Sequence, residues 1–164
     1  MTIRNLKDVY IHQLQDMHSA DRQALAATRR LAMLAHDTHL TDALEAGVEG
    51  IRAGIGEMEA LLERHGAARE EGHSRAMDGI VDEIKTDLLT ADIADPEPRD
   101  AMIAAQYQRM AHFAIAGYGT ALAYARRLGL EDDAAQLQHN LDTAYSGDRT
   151  MSQIANATLN EKAA

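Results

Sequence analysis

The chain has no cysteine and no tryptophan, one phenylalanine and only two prolines in 164 residues. Without thiols there is no disulfide framework, no thiolate metal site and no cysteine nucleophile. Aromatic residues make up 4%, and the apolar content is largely Ala, Leu, Ile and Met. That composition argues against strands, which favour β-branched and aromatic side chains. No apolar run approaches the roughly 18 residues of a membrane span, and the opening Met1-Thr2-Ile3-Arg4-Asn5 has no signal-like apolar region. The expectation is a cytoplasmic protein without membrane contact. A formal net charge of −10 leaves too little clustered positive charge to displace counterions from phosphates, so no nucleic-acid partner is expected. The doublets Arg29-Arg30 and Arg126-Arg127 read as solvated helix faces. Glycine-rich phosphate loops, nucleotide fingerprints and Ser/His/Asp arrangements are also missing, which removes the hydrolase and nucleotide-dependent classes.

What is present is helical periodicity. Tyr10, Leu14, Met17, Ala24, Leu31 and Ala35 step by threes and fours, with Asp21 and Thr28 in the gaps. A helix from about Leu6 to His36 would be roughly 45 Å long. After Asp37-Thr38-His39 a second seam, Leu44, Val48, Ile51, Ile55, Met58 and Leu62, ends at His65-Gly66, where glycine can cap the helix. Met77, Ile80, Ile84 and Leu88 mark a shorter amphipathic helix between Ser74 and Thr90. Asp95-Pro96-Glu97-Pro98 forms a loop, with Pro98 suited to the first turn of the next helix. That helix carries Ile103, Tyr107, Met110, Ala114, Gly117, Ala121 and Tyr124. Its small central residues should allow a close approach. Beyond Gly129 the last helix shows Ala134, Leu137, Leu141, Ala144, Asp148, Met151 and Ala155. The pattern predicts one all-α domain over 1–164, two helical hairpins joined by a short crossover helix, the plan of a ferritin-like four-helix bundle.

Few residues in it carry chemistry. Asp21 and Asp148 stand at seam positions, and Glu49 lies beside Val48 at the edge of its seam. Buried acids need partners, whether metal ions, arginine, water or backbone groups. Among eight histidines no His-x-x-x-His or Glu-x-x-His pair falls on a seam. His18, three residues before Asp21, is the best local His–acid pair and reads as a surface or rim residue. His112 reads as hydrogen-bonded and partly buried. Met17, Met33, Met58, Met77, Met102, Met110 and Met151 read as adaptable core filling.

Several stretches resemble the YciF/YciE-like family of bacterial stress proteins, ferritin-like domains of unknown biochemical role. They are Leu6-Lys7-Asp8-Val9-Tyr10, Ala20-Asp21-Arg22-Gln23, Ala76-Met77-Asp78-Gly79-Ile80, Arg99-Asp100-Ala101 and, most specifically, the stretch from His112-Phe113-Ala114 through Ala116-Gly117-Tyr118-Gly119-Thr120. The resemblance implies a homodimer and a set of dimetal ligands on four helices. Carried over, the helix 1 Glu is Asp21, the Glu of the second helix is kept as Glu49, and the His three residues on is Arg52. The fourth-helix acids are Ala111 and Ala114, and the last-helix pair is Ala144 and Asp148.

A dimetal centre needs about six ligands, and three acids beside an arginine do not supply them. The resulting expectation is a non-enzymatic, metal-free, stress-associated structural or interaction protein with no cofactor, its vestigial site formed by Asp21, Glu49, Arg52 and Asp148. The alternative is an iron-handling or redox protein with a rearranged site of Asp21, Glu49, Asp148 and His18. A third reading is a small-molecule pocket where alanines replace glutamates. Two packing expectations accompany these. Arg52 should bond Glu49, Asp21 or Asp148 inside the bundle. Gly117 should mark a close helix contact, with Tyr118 covering the bundle end.

Overall fold

The computed structural model describes residues 3–69 and 72–164; Met1 and Thr2 of the opening lie outside them. Four long helices dominate: α1 (Leu6–Leu34), α2 (Thr38–Arg64), α4 (Pro96–Arg127) and α5 (Glu131–Ile154). Between the pairs, α3 (Arg75–Ile84) continues into a π-helical turn over Lys85–Thr90. After α5 a second π-helical turn, Ala155–Leu159, leads into the short α6 (Asn160–Lys162). The described residues form an all-α helical bundle.

Local chemistry sets the ends. Asn5 accepts from the Asp8 amide at 3.0 Å while Asp8 accepts from the Arg4 amide at 2.8 Å, a reciprocal cap that opens α1. Asp37 accepts from the His39 and Leu40 amides and opens α2. Gly66 and Gly129, both with positive φ, close α2 and α4 in the same way. The amide of Ala67 reaches back to the Leu62 carbonyl and that of Leu130 to the Ala125 carbonyl. Helix α4 starts two residues before the expected proline, with Pro96 as its first residue and Pro98 two places on, where amide hydrogens need no helical partner.

Helices α1 and α2 pack as one hairpin and α4 and α5 as the other, with further contact from α1 to α4 and from α2 to α5. The end of α2 and the start of α1 meet where His65 and Tyr10 both bond Asp133. The start of α4 lies instead against the α1–α2 turn, where Asp100 bonds the His36 and Asp37 amides. The segment from His65 to Asp95 therefore travels the length of the bundle. Gln15 and Ser19 bond it on the way, to the Ala68 carbonyl and the Ser74 amide.

The core separates into two apolar clusters. One gathers Leu31, Leu40, Leu44, Met77, Ile103 and Met151, and the other Tyr10, Leu14, Met58, Leu62, Leu122 and Leu137. Most seam residues are buried as expected, but Met33 is 78% exposed and fills no core. Ala144, Asp148 and Ala155 are only half-buried. Gly117 does mark a close contact, since a Cβ there would fall 1.9 Å from Met17 Sδ. Tyr118 does not cover the bundle end. It is buried inside, opposite the middle of α1.

Candidate functional site

Where the two clusters meet lies a cavity of about 400 Å³ walled by α1, α2, α4 and α5. Ala111 and Ala114 of α4 and Ala144 of α5 face it, together with Gly50 and Gly54 of α2. Of the small residues read in sequence as allowing close helix approach, Gly117 admits a close contact and Ala121 is buried in the core. One turn before Gly117, the short side chain of Ala114 leaves open volume. At the margin Gly47 and Gly147 make room for Tyr107, whose Oη would stand 2.7 Å from a Cβ on Gly47 and 2.9 Å from one on Gly147.

Asp21 is the one member of the expected acid set in the cavity wall. It is 5% exposed and accepts a 2.6 Å hydrogen bond from the Tyr118 hydroxyl. Burial pushes its carboxyl up to about 7 against the opposing pull of that hydrogen bond. Burial, with the Asp21 and Glu57 carboxylates nearby, also raises Tyr118 well above its ordinary value, so Tyr118 keeps its proton and donates.

The other expected residues go elsewhere. Arg52 bonds Glu49 at 2.5 Å, but both side chains are at least half exposed, and neither lines the cavity. The interior network expected of Arg52 is therefore corrected: three residues of helix carry its guanidinium along the outer face to its own neighbour. Such a pair contributes about 0–1 kcal/mol. Asp148 accepts from Gln108 at 3.1 Å and His112 at 3.2 Å beside the cavity, not in it. His112 is exposed, not partly buried. His18, expected at the surface, is 2% exposed: Nδ1 lies 3.1 Å from the Arg69 carbonyl and Nε2 3.3 Å from Glu59. The crossover segment covers it, which one helix's periodicity could not reveal.

Sequence reasoning missed Glu57, Thr28 as a polar wall, and Asn140, all lining the cavity. Glu57 precedes Met58 whereas Glu49 follows Val48, so the two flank the seam on opposite sides. The spacing separates them, and the packing of α2 decides which side meets the cavity. The donors do not suit the dimetal centre that the resemblance implies. Among the described residues no group of three His, Asp or Glu side chains is placed to hold a metal ion.

This arrangement of helices and crossover has relatives. A family model described as a domain of unknown function, DUF892, matches residues 5–164. The chain belongs to the DUF892 family. It is similar to protein YciF of Escherichia coli K12, 28% identical over 164 residues that span 99% of this chain and 98% of that one. The crystal structure of the E. coli stress protein YciF matches with a TM-score of 0.89 at 27% identity, over 97% of this chain and 99% of that chain. YcfI of Rhodopseudomonas palustris, a proposed structural protein, matches with a TM-score of 0.87 at 27% identity, over 93% of this chain and 96% of that chain. The resemblance to YciF read from the sequence holds, and this DUF892 chain shares its helical bundle with both.

Proposed function

We propose that this DUF892 protein is a metal-free, stress-associated structural or interaction protein on a ferritin-like four-helix scaffold whose dimetal site has degenerated. It acts as a cytoplasmic homodimer without catalysis. The observation that carries the reading is the state of the seven ligand positions. Ala111, Ala114 and Ala144 face a cavity, Glu49 and Arg52 neutralise each other at the surface, Asp148 lies beside the cavity, and of the seven Asp21 alone supplies a carboxylate to the wall. With Glu57 the wall holds two carboxylates, too few to bridge and hold two cations. The similarity to a stress protein and to a proposed structural protein supports the biological half of the reading. No helix among the described residues is long and apolar enough to cross a membrane, which accords with the cytoplasmic assignment.

The rearranged iron site of Asp21, Glu49, Asp148 and His18 has less support. His18 is occupied by the Arg69 carbonyl and Glu59, and Glu49 by Arg52. Purified protein loaded anaerobically with ferrous iron and desalted should retain well under one iron per chain. Near-stoichiometric retention coupled to oxygen- or peroxide-dependent oxidation would overturn the proposal.

A further inference from the structure

Charge in the cavity wall is not balanced. Asp21 and Glu57 line the volume and no lysine or arginine does; the exposed His139 is the one imidazole in the lining. The hydroxyl that Asp21 receives from Tyr118 is neutral, and Arg52 is turned to the surface. Buried carboxylates without a cation are costly, and the cost is relieved by whatever cation can reach them.

Two polar residues besides these acids, Thr28 and Asn140, line the same space. Thr28 is fully buried and Asn140 is 5% exposed, yet neither Thr28 Oγ1 nor Asn140 Nδ2 has a hydrogen-bond partner among the described residues; the same is true of Glu57 Oε2. All three residues line the cavity. Folded interiors leave few such atoms unpaired, so three on the residues of one cavity call for partners supplied there by water or a ligand. Besides alanine, glycine and methionine the wall holds Ile51, Tyr107, Tyr118, Thr143, Ser146 and Thr150, and about 400 Å³ lies in the range of small-molecule sites. A divalent metal does not match this lining, because hard cations take six or more oxygen ligands and, among the described residues, no group of three His, Asp or Glu side chains is placed to hold one. Carboxylates also repel an anion.

We propose that the cavity binds a small organic ammonium ion with an apolar body. Its N–H groups donate to Glu57 and Asp21, and its hydrocarbon part lies against Ala111, Ala114 and Ala144. The Thr28 hydroxyl supplies a further acceptor, and Asn140 donates to a polar substituent on the ligand. This inference rests on the metal-free reading above, since metals among the same helices would occupy the volume.

Calorimetric titration of the chelator-treated full chain with three probes of one shape and different charge tests it: 2-phenylethylammonium, 2-phenylethanol and 3-phenylpropanoate. The ammonium should bind one per chain, at least about tenfold more tightly than the alcohol, as expected for a charge-assisted hydrogen bond, and the carboxylate should not bind. Glu57→Gln should bring the ammonium to the alcohol's affinity without altering the alcohol's. Ala114→Phe should block both, with Ala111→Leu as the milder filling variant if the first does not fold. Equal affinity for ammonium and alcohol, no binding of any probe, or ammonium binding unchanged by Glu57→Gln and by the filling variants would each overturn the proposal. The iron-retention measurement reads the metal-free reading separately, so either can fail without the other.

Discussion

At Asp21, burial raises the carboxyl to about 7 in the folded protein, against an ordinary value of 3.8. The folded state therefore favours the protonated acid, while the unfolded chain ionises from about pH 4 upward. Stability from this group is present below the unfolded value and is lost as pH rises toward 7, by about 4 kcal/mol in all. Asparagine cannot ionise and can still accept from Tyr118. Asp21→Asn should thus stabilise the protein, with a gain that grows between pH 5 and 7 and levels off above. Urea unfolding of parent and variant across that range checks this, and a pH-independent difference would show that the carboxylate is solvated through the cavity. Gly117 illustrates the opposite constraint at the same scale. Its missing Cβ admits Met17, which is fully buried, and the periodicity of α4 had already marked the site because mid-helix glycine costs about 1 kcal/mol relative to alanine.

Two buried carboxylates tie helix ends together. Asp133, at the start of α5, accepts from Tyr10 at 2.8 Å, lies 2.6 Å from His65 and also bonds Arg64, joining α1, α2 and α5 at one end. Burial alone would raise its carboxyl, but the hydrogen bonds from His65, Tyr10 and Arg64 together lower it. At the other end Asp100 accepts from the His36 amide at 2.9 Å and the Asp37 amide at 2.7 Å. This gives the Arg99-Asp100-Ala101 motif a physical role: it pins the α1–α2 turn to α4, while Arg99 holds the Ile93 carbonyl at the crossover's exit. Asp100→Ala leaves two amides without an acceptor and should cost about 2–4 kcal/mol, read as a lower urea midpoint with an unchanged slope. Asp100→Asn, which retains one acceptor, should recover part of it.

For the whole molecule the same physics leaves apolar side chains outside. Ile3, Met33, Leu89 and Tyr145 are exposed, Met33 at 78%. A second copy covering such residues by helical faces is the expected occupant, since closed two-fold pairs are the commonest assemblies. Light scattering at micromolar concentration should give twice the 17.9 kDa chain mass; a monomer mass would count decisively against the pairing. The net charge of −10 works against binding to polyanions.

Helix positions, their glycine caps and the pairing into hairpins were legible in the sequence because each depends on residues a few places apart: a seam of threes and fours, Asn5 three before Asp8, Gly66 after Arg64. That Ala111, Ala114 and Ala144 stand where carboxylates are expected is implied by the resemblance alone. Which acids face one another was not legible in the sequence. Glu49 and Glu57 flank their seam on opposite sides, and only the packing of α2 against α1 and α5 decides that Glu57 meets the cavity and Glu49 meets Arg52. His18 is buried by a crossover that lies some fifty residues away in the chain. Local periodicity specifies which face of a helix is apolar; the rotation that chooses among side chains at the edge of that face is set by neighbouring helices, so it exists only in the folded bundle.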